Sequence, residues 1–229
     1  MKKKLSVLGS TGSIGLNALK IVKKNKNLFK INVLAADKNY KLICNQIMNL
    51  KPDVFLINDP LTYDKIKKKY KKSKVKIFKN LKLEKQKIKN SDITISAIPG
   101  IAGLEPTLEL IKKSKKVLIA NKESIICGWN LISKAALKYK TKIIPVDSEH
   151  FSIMKLLDNY KLKDVKKIYL TASGGPFLNY DLKKIKNINP SQAIKHPKWK
   201  MGKKISVDSA TLMNKVLESI EAQKLFSIP

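Results

Sequence analysis

Short apolar, β-branched runs alternate with longer amphipathic stretches through the first 140 positions of the chain. Residues 4–9 read as a short buried strand, 10–15 as a turn and 16–24 as a helix, and 31–36 form a second strand. The runs 53–57, 92–98 and 116–120 repeat the pattern with helical stretches between them, and 142–147 supplies one more strand. Strands that alternate with helices at this spacing predict an α/β fold, a doubly wound parallel sheet covered on both faces. After about residue 140 the texture changes. A helix is expected over 149–159, a strand over 167–172, a Gly-Gly-Pro turn, a polar Lys- and Pro-containing stretch over 187–204, and a closing helix over 209–226. The pattern predicts two domains, 1–140 and 141–229, with no internal repeat or low-complexity linker.

Composition narrows the class. With 229 residues, 43% hydrophobic and 28% charged, the chain can bury a core without disulfide or metal staples. No run reaches the roughly 18 apolar residues of a membrane span, and the apolar stretch 5–8 after Lys2, Lys3 and Lys4 is too short for a signal core. Cys44 and Cys127 form no CxxC pair, as expected of a reducing, cytoplasmic setting. The net charge of +31 invites a nucleic-acid reading. Yet all 48 basic residues are lysine, spread through every segment beside abundant Asn and Ile, so A/T-rich codon usage explains them better than a binding groove. A nucleic-acid binder is expected to use Arg and to interleave aromatics with its basic run, whereas 65–74 holds Tyr70 alone. Neither a nucleic-acid nor a membrane partner is expected.

Four groups of residues carry candidate chemistry. Gly9-Ser10-Thr11-Gly12-Ser13-Ile14-Gly15 lies between the first strand and the first helix, where a dinucleotide pyrophosphate rests on free backbone N–H groups. Asp37, 22 residues after Gly15, stands where an acid would hold the ribose hydroxyls of NAD, while Lys38 and Asn39 can receive a 2'-phosphate instead. Asp147 and Glu149, alternate residues at a strand end, can face one site and suit Mg2+ or Mn2+, or can be two solvated acids. Asn214, Lys215 and Glu218 share one helix face. Ser173 after a strand and Ser209 at an expected helix cap are turn or cap residues, or with Asn214 and Lys215 a phosphate cradle. His196 and Trp199, with Met201 and Gly202, lie in an irregular stretch of the kind that forms lids.

Taken together, Leu8-GSTGSIG, Ala120-NKES, Pro145-VDSEH, Thr171-ASGGPF and His196-PKWKMGKKISVDSATLMNKVLESIEA resemble the 1-deoxy-D-xylulose 5-phosphate reductoisomerase family, in order and from end to end. The resemblance implies conversion of 1-deoxy-D-xylulose 5-phosphate to 2-C-methyl-D-erythritol 4-phosphate in isoprenoid precursor synthesis, by skeletal rearrangement and then reduction, with NADPH and a divalent metal. It implies a Rossmann-type NADPH-binding domain followed by an α+β catalytic domain. By motif, Thr11, Gly12, Ser13, Ile14, Lys38, Asn39, Asn121, Glu123 and Gly202 resemble cofactor contacts, while Asp37, expected at the cofactor by its spacing, stands where the family pattern has a small residue such as Gly. Asp147, Glu149 and Glu218 resemble the metal ligands. Lys122, Ser148, Glu149, Ser173, His196, Ser209, Asn214, Lys215 and Glu218 resemble substrate contacts, and Trp199 and Met201 the flap. Lys122, Asp147, Glu149, Glu218 and His196 are the expected catalytic set. Family members continue well beyond position 229, so the second domain is expected to be truncated here, and a homodimer is expected of the full-length enzyme. Competing readings are an inactive fragment or basic binding module, and another NAD(P)-linked dehydrogenase. The latter accounts for 1–140 but not for the acids and the late helix.

Overall fold

The computed structural model describes residues 1–79, 88–197 and 202–228. The chain divides into two compact units, Met1–Asp147 and Ser148–Pro229.

The first unit runs β1 (Lys3–Leu8), α1 (Ser13–Lys24), β2 (Phe29–Ala36), α2 (Tyr40–Leu50), β3 (Val54–Ile57), α3 (Pro60–Lys69), β4 (Lys76–Lys79), β5 (Ser91–Ser96), α4 (Leu104–Ile111), β6 (Ser114–Ile119), α5 (Lys122–Tyr139) and β7 (Lys142–Pro145). The strands form one parallel sheet in the order β4-β3-β2-β1-β5-β6-β7. The last four residues of β2 (33–36) and all of β3 read as continuous buried apolar runs rather than alternating ones, as in a sheet covered on both faces. Leu5, Val7, Leu34, Phe55 and Ile57 pack in one apolar cluster, and Leu8, Val33, Ala35, Leu56 and Leu110 in another. Each such side chain, fully buried, stabilises the fold by about 1.5 to 3 kcal/mol before entropy is counted. Chain order reverses at β1, whose neighbours are β2 on one side and β5 on the other, and the glycine loop leaves β1 at this switch point. Strand β4 is absent from the pattern-based expectation because only Ile77 of its four residues is buried and a lysine stands at each end, a composition suited to a sheet edge.

The second unit contains α6 (Ser148–Leu157), α7 (Pro190–Ala193), α8 (Lys203–Ala210) and α9 (Met213–Phe226), with 3-10 turns at Leu162–Asp164 and Leu182–Asn187. Two expectations are corrected here. The apolar run 167–172 forms no strand among the described residues; no ladder partner pairs with it, and Tyr169 lies exposed. The closing helix is broken, because Leu212 adopts a left-handed backbone (φ 58°) between α8 and α9. Ser209 therefore lies in the last turn of α8 and is not a helix cap. Among the described residues no helix is long and apolar enough to cross a membrane.

Candidate active site

In the first unit, the turn after β1 leads directly into the start of α1. Gly9 has φ +81°, and a Cβ there would strike the Ala97 carbonyl, so glycine alone lets the chain pass. The amides of Gly9 and Ser10 both donate to the Ala35 carbonyl (3.0 and 2.8 Å), tying the turn to β2. The Ser10 hydroxyl donates to Gln46 Oε1 (2.7 Å) while Gln46 Nε2 donates back to the Ser10 carbonyl (2.8 Å), and both residues are buried. Gln46 was not among the expected site residues; a polar residue on the buried face of α2 was the available signal. Helix α1 starts with Gly12 as its cap and no side-chain cap bond, and Gly12, Ser13 and Ile14 are exposed. Its first amides and its dipole are thus available to an anion beside Thr11, Gly12, Ser13 and Ile14.

Beyond β2, Asp37 Oδ1 accepts from Asn58 Nδ2 (3.3 Å), and Asn39 Oδ1 accepts from the Leu42 amide (3.2 Å), capping α2. At the head of α5, Asn121 Oδ1 accepts from the Ser124 amide (2.7 Å), while its Nδ2 donates to the carbonyls of Ile98 and of Gly100 (2.8 Å). The Asn121 amide group is therefore engaged by backbone on three sides, clamping the loop after β5 against the start of α5. The next residue, Lys122, is buried and pairs with Asp147 at 3.0 Å. Glu123 follows in the first turn of α5.

In the second unit, carboxylates gather around one cation. Lys215 Nζ donates to Glu149 Oε1 (2.6 Å) and to Glu218 Oε2 (2.5 Å), and Asn214 Nδ2 donates to Glu218 Oε1. Ser148 donates its hydroxyl to Glu149 Oε2 at 2.6 Å. Burial works against the Lys215 ammonium, but its hydrogen bonds to Glu149 and Glu218 outweigh that cost and hold its pKa above the ordinary lysine value. Two carboxylates that converge on one ammonium nitrogen are within reach of a single cation, and oxygen donors of this kind fit a hard divalent ion.

His150 and Glu221 lie beneath this cluster and were not foreseen. His150 is fully buried; its Nε2 is 2.9 Å from the Glu218 carbonyl oxygen and its Nδ1 is 3.4 Å from Glu221 Oε2. A carbonyl only accepts, so Nε2 carries the proton. Through this bond α6 holds the turn of α9 on which Glu218 sits, and Phe226 stacks on the imidazole with ring centroids 6.4 Å apart. Elsewhere in the unit, Ser173 Oγ lies 2.9 Å from His196 Nε2. A Cβ on Gly175 would strike the Ser209 carbonyl, so the glycine turn brings Ser173 close to the end of α8. Gly202 is the exposed cap residue of α8. Trp199 and Met201 lie outside the described residues.

The family model for 1-deoxy-D-xylulose 5-phosphate reductoisomerase matches residues 5–128, and the model for that enzyme's C-terminal domain matches 143–226. A Pelagibacter ubique protein of that name is 51% identical over 99% of this chain and 59% of its own length. A Wolbachia relative from Culex pipiens is 47% identical over 99% of this chain and 58% of its own length. A crystal structure of DOX-P reductoisomerase with NADPH, fosmidomycin and magnesium superposes with a TM-score of 0.89 at 34% identity, covering 99% of this chain and 59% of that one. The Zymomonas mobilis enzyme in complex with NADPH gives 0.88 at 36% identity, covering 100% and 59%. The chain thus spans about three fifths of the length of the relatives it matches.

Proposed function

The chain belongs to the 1-deoxy-D-xylulose 5-phosphate reductoisomerase family, and from that premise we propose that it serves the metal- and NADPH-dependent conversion of 1-deoxy-D-xylulose 5-phosphate to 2-C-methyl-D-erythritol 4-phosphate. The observation that carries the proposal is the convergence of Glu149 and Glu218 on one cationic nitrogen, at 2.6 and 2.5 Å, in a chain with only 17 acids. A plain Rossmann dehydrogenase needs no such group.

Thr11, Gly12, Ser13 and Ile14 would hold the cofactor pyrophosphate on the open amides of α1, with Asp37, Lys38 and Asn39 toward the adenosine ribose. Asn121, Glu123 and Gly202 are the further proposed cofactor contacts; for Asn121 the contact falls to its backbone, since its amide side chain is occupied. Asp147, Glu149 and Glu218 would ligate Mg2+ or Mn2+. When bound, the metal supplies Lewis-acid stabilisation of negative charge on substrate oxygens, and the nicotinamide supplies hydride. Once Glu149 and Glu218 serve a metal, Lys215 loses both partners, and its ammonium becomes available to the substrate phosphate with Ser173, Ser209 and Asn214. Phosphate held by these groups orients the reacting carbons from a distance. Lys122, next to Asp147, and Ser148 would hold substrate oxygens, and His196 would orient with Ser173. Trp199 and Met201 are proposed as the flap that excludes water. The substrate is a phosphorylated sugar, the setting is cytoplasmic, and the homodimer belongs to the full-length enzyme.

The test is oxidation of NADPH on addition of 1-deoxy-D-xylulose 5-phosphate and Mg2+ or Mn2+. Turnover that stops with a chelator and in Glu218→Gln is expected, and turnover indifferent to metal or to Glu218 contradicts the proposal.

A further inference from the structure

The adenosine end of the proposed cofactor site carries an acid, Asp37. Asp37 is the residue after β2, one strand over from the glycine loop and at the same edge of the sheet; Leu8, the last residue of β1, registers with Ala35. In doubly wound sheets an acid here accepts the ribose hydroxyls of NAD, and a cation here receives the 2'-phosphate of NADP. The carboxylate is held in place. Its Oδ1 accepts from Asn58 Nδ2 at 3.3 Å, and the Asn58 amide in turn donates to the Ala36 carbonyl at 3.1 Å, so the acid and its donor share the end of β2.

A second acid stands two residues beyond β3. Asp59, adjacent to Asn58, caps α3 by accepting from the Thr62 amide at 2.7 Å. Hydrogen bonds from Thr62, and after them the charges of Lys38 and Lys65, hold its carboxyl below the ordinary aspartate value. Asn39 directs its amide oxygen to the Leu42 amide. Two carboxylates, Asp37 just after β2 and Asp59 just after β3, thus stand on either side of Asn58 in this part of the unit. A 2'-phosphate carries about two negative charges at neutral pH and needs a surplus of positive charge to gain affinity.

We propose that Asp37 is a specificity-determining residue that makes this chain accept NADH about as well as NADPH, by bonding the free 2'-hydroxyl and repelling the 2'-phosphate. The inference rests on the dinucleotide site proposed above, and concerns this chain rather than its NADPH-bound relatives.

The experiment is direct binding, with no turnover needed. NADPH and NADH are titrated separately into the protein and followed by the fluorescence of the bound reduced nicotinamide, for wild type and for Asp37→Asn. Asp37 is exposed, so the variant is expected to fold, and an unchanged melting temperature verifies it. In the wild type the two Kd values are expected to lie within about tenfold of one another, and Asp37→Asn is expected to move their ratio about tenfold toward NADPH, the scale of removing one like charge about 4 Å from a phosphate at a wet surface. A wild-type preference for NADPH greater than about tenfold, or a ratio that Asp37→Asn leaves unmoved, overturns the inference and leaves the dinucleotide site standing. If neither nucleotide binds the wild type, the dinucleotide site fails and the inference fails with it.

Discussion

Asn121 offers a sharp test of how the first unit positions Lys122. Its side chain makes three contacts at once: Oδ1 caps α5 through the Ser124 amide, and Nδ2 serves the carbonyls of Ile98 and Gly100. The residue is 3% exposed, so water does not replace what a substitution removes. Asn121→Ala loses the cap, worth about 1 kcal/mol, and leaves two carbonyls short of a donor, at about 1 to 3 kcal/mol for the set. The sum, about 2 to 4 kcal/mol, corresponds to a fall in Tm of roughly 4 to 16 °C for a domain near 150 residues. Asn121→Asp separates the two roles. It keeps the capping oxygen but sets a carboxylate oxygen against two carbonyl oxygens, replacing attraction by repulsion. At neutral pH it is therefore expected to be at least as destabilising as Asn121→Ala, despite preserving the cap. Scanning calorimetry of the three proteins gives the ranking. If Asn121→Asp is the milder change, the cap dominates and the clamp on the loop after β5 is not what holds Lys122 in place.

Other outcomes follow from the same geometry. Gln46→Leu strips two buried groups of Ser10 of their partners and should cost about 2 to 4 kcal/mol, with weaker NADPH binding because the glycine turn loses its brace; unchanged affinity would show that β2 alone fixes the turn. Asp92 accepts from Lys115 Nζ and from the Lys4 amide, each at 2.8 Å, and these bonds, Lys115 first, depress its pKa below 3.8. A depressed carboxylate stabilises the fold above its unfolded pKa and loses that effect as pH falls through the folded value. Asp92→Asn should therefore melt below wild type at neutral pH, with the gap closing below about pH 4; a gap that persists in acid contradicts the assignment. If a divalent ion binds Glu149 and Glu218 as proposed, Lys215→Met removes the ammonium it would displace, so Mn2+ affinity measured by electron paramagnetic resonance should rise about tenfold, and a fall would mean that the lysine holds the carboxylates together.

Local rules made part of this molecule legible from its residues. The glycine turn follows from backbone sterics at Gly9, and the grouping of Asn214, Lys215 and Glu218 follows from helical period alone, because i and i+4 share a face whatever the tertiary context. Partner choice is a tertiary matter and was not legible. Nothing in the sequence says that Gln46 returns to Ser10, or that His150 reaches the carbonyl of Glu218, since each bond joins elements whose packing decides it. Strand β4 escaped notice because an edge strand buries too little to leave an apolar run. The run 167–172 misled for the opposite reason: its residues suit a ladder, but a strand exists only where a partner supplies hydrogen bonds. The break at Leu212 was hidden because leucine carries no sign of a left-handed turn.

The most direct test of the account is the identity of the product. The chain is incubated with 1-deoxy-D-xylulose 5-phosphate, NADPH and Mg2+, and the carbon skeleton of the product is read by carbon-13 NMR. The account predicts the branched 2-C-methyl-D-erythritol 4-phosphate, the signature of rearrangement before reduction. A straight-chain polyol phosphate would make the protein a simple dehydrogenase, and no product at all would contradict the assignment of these residues to the reaction.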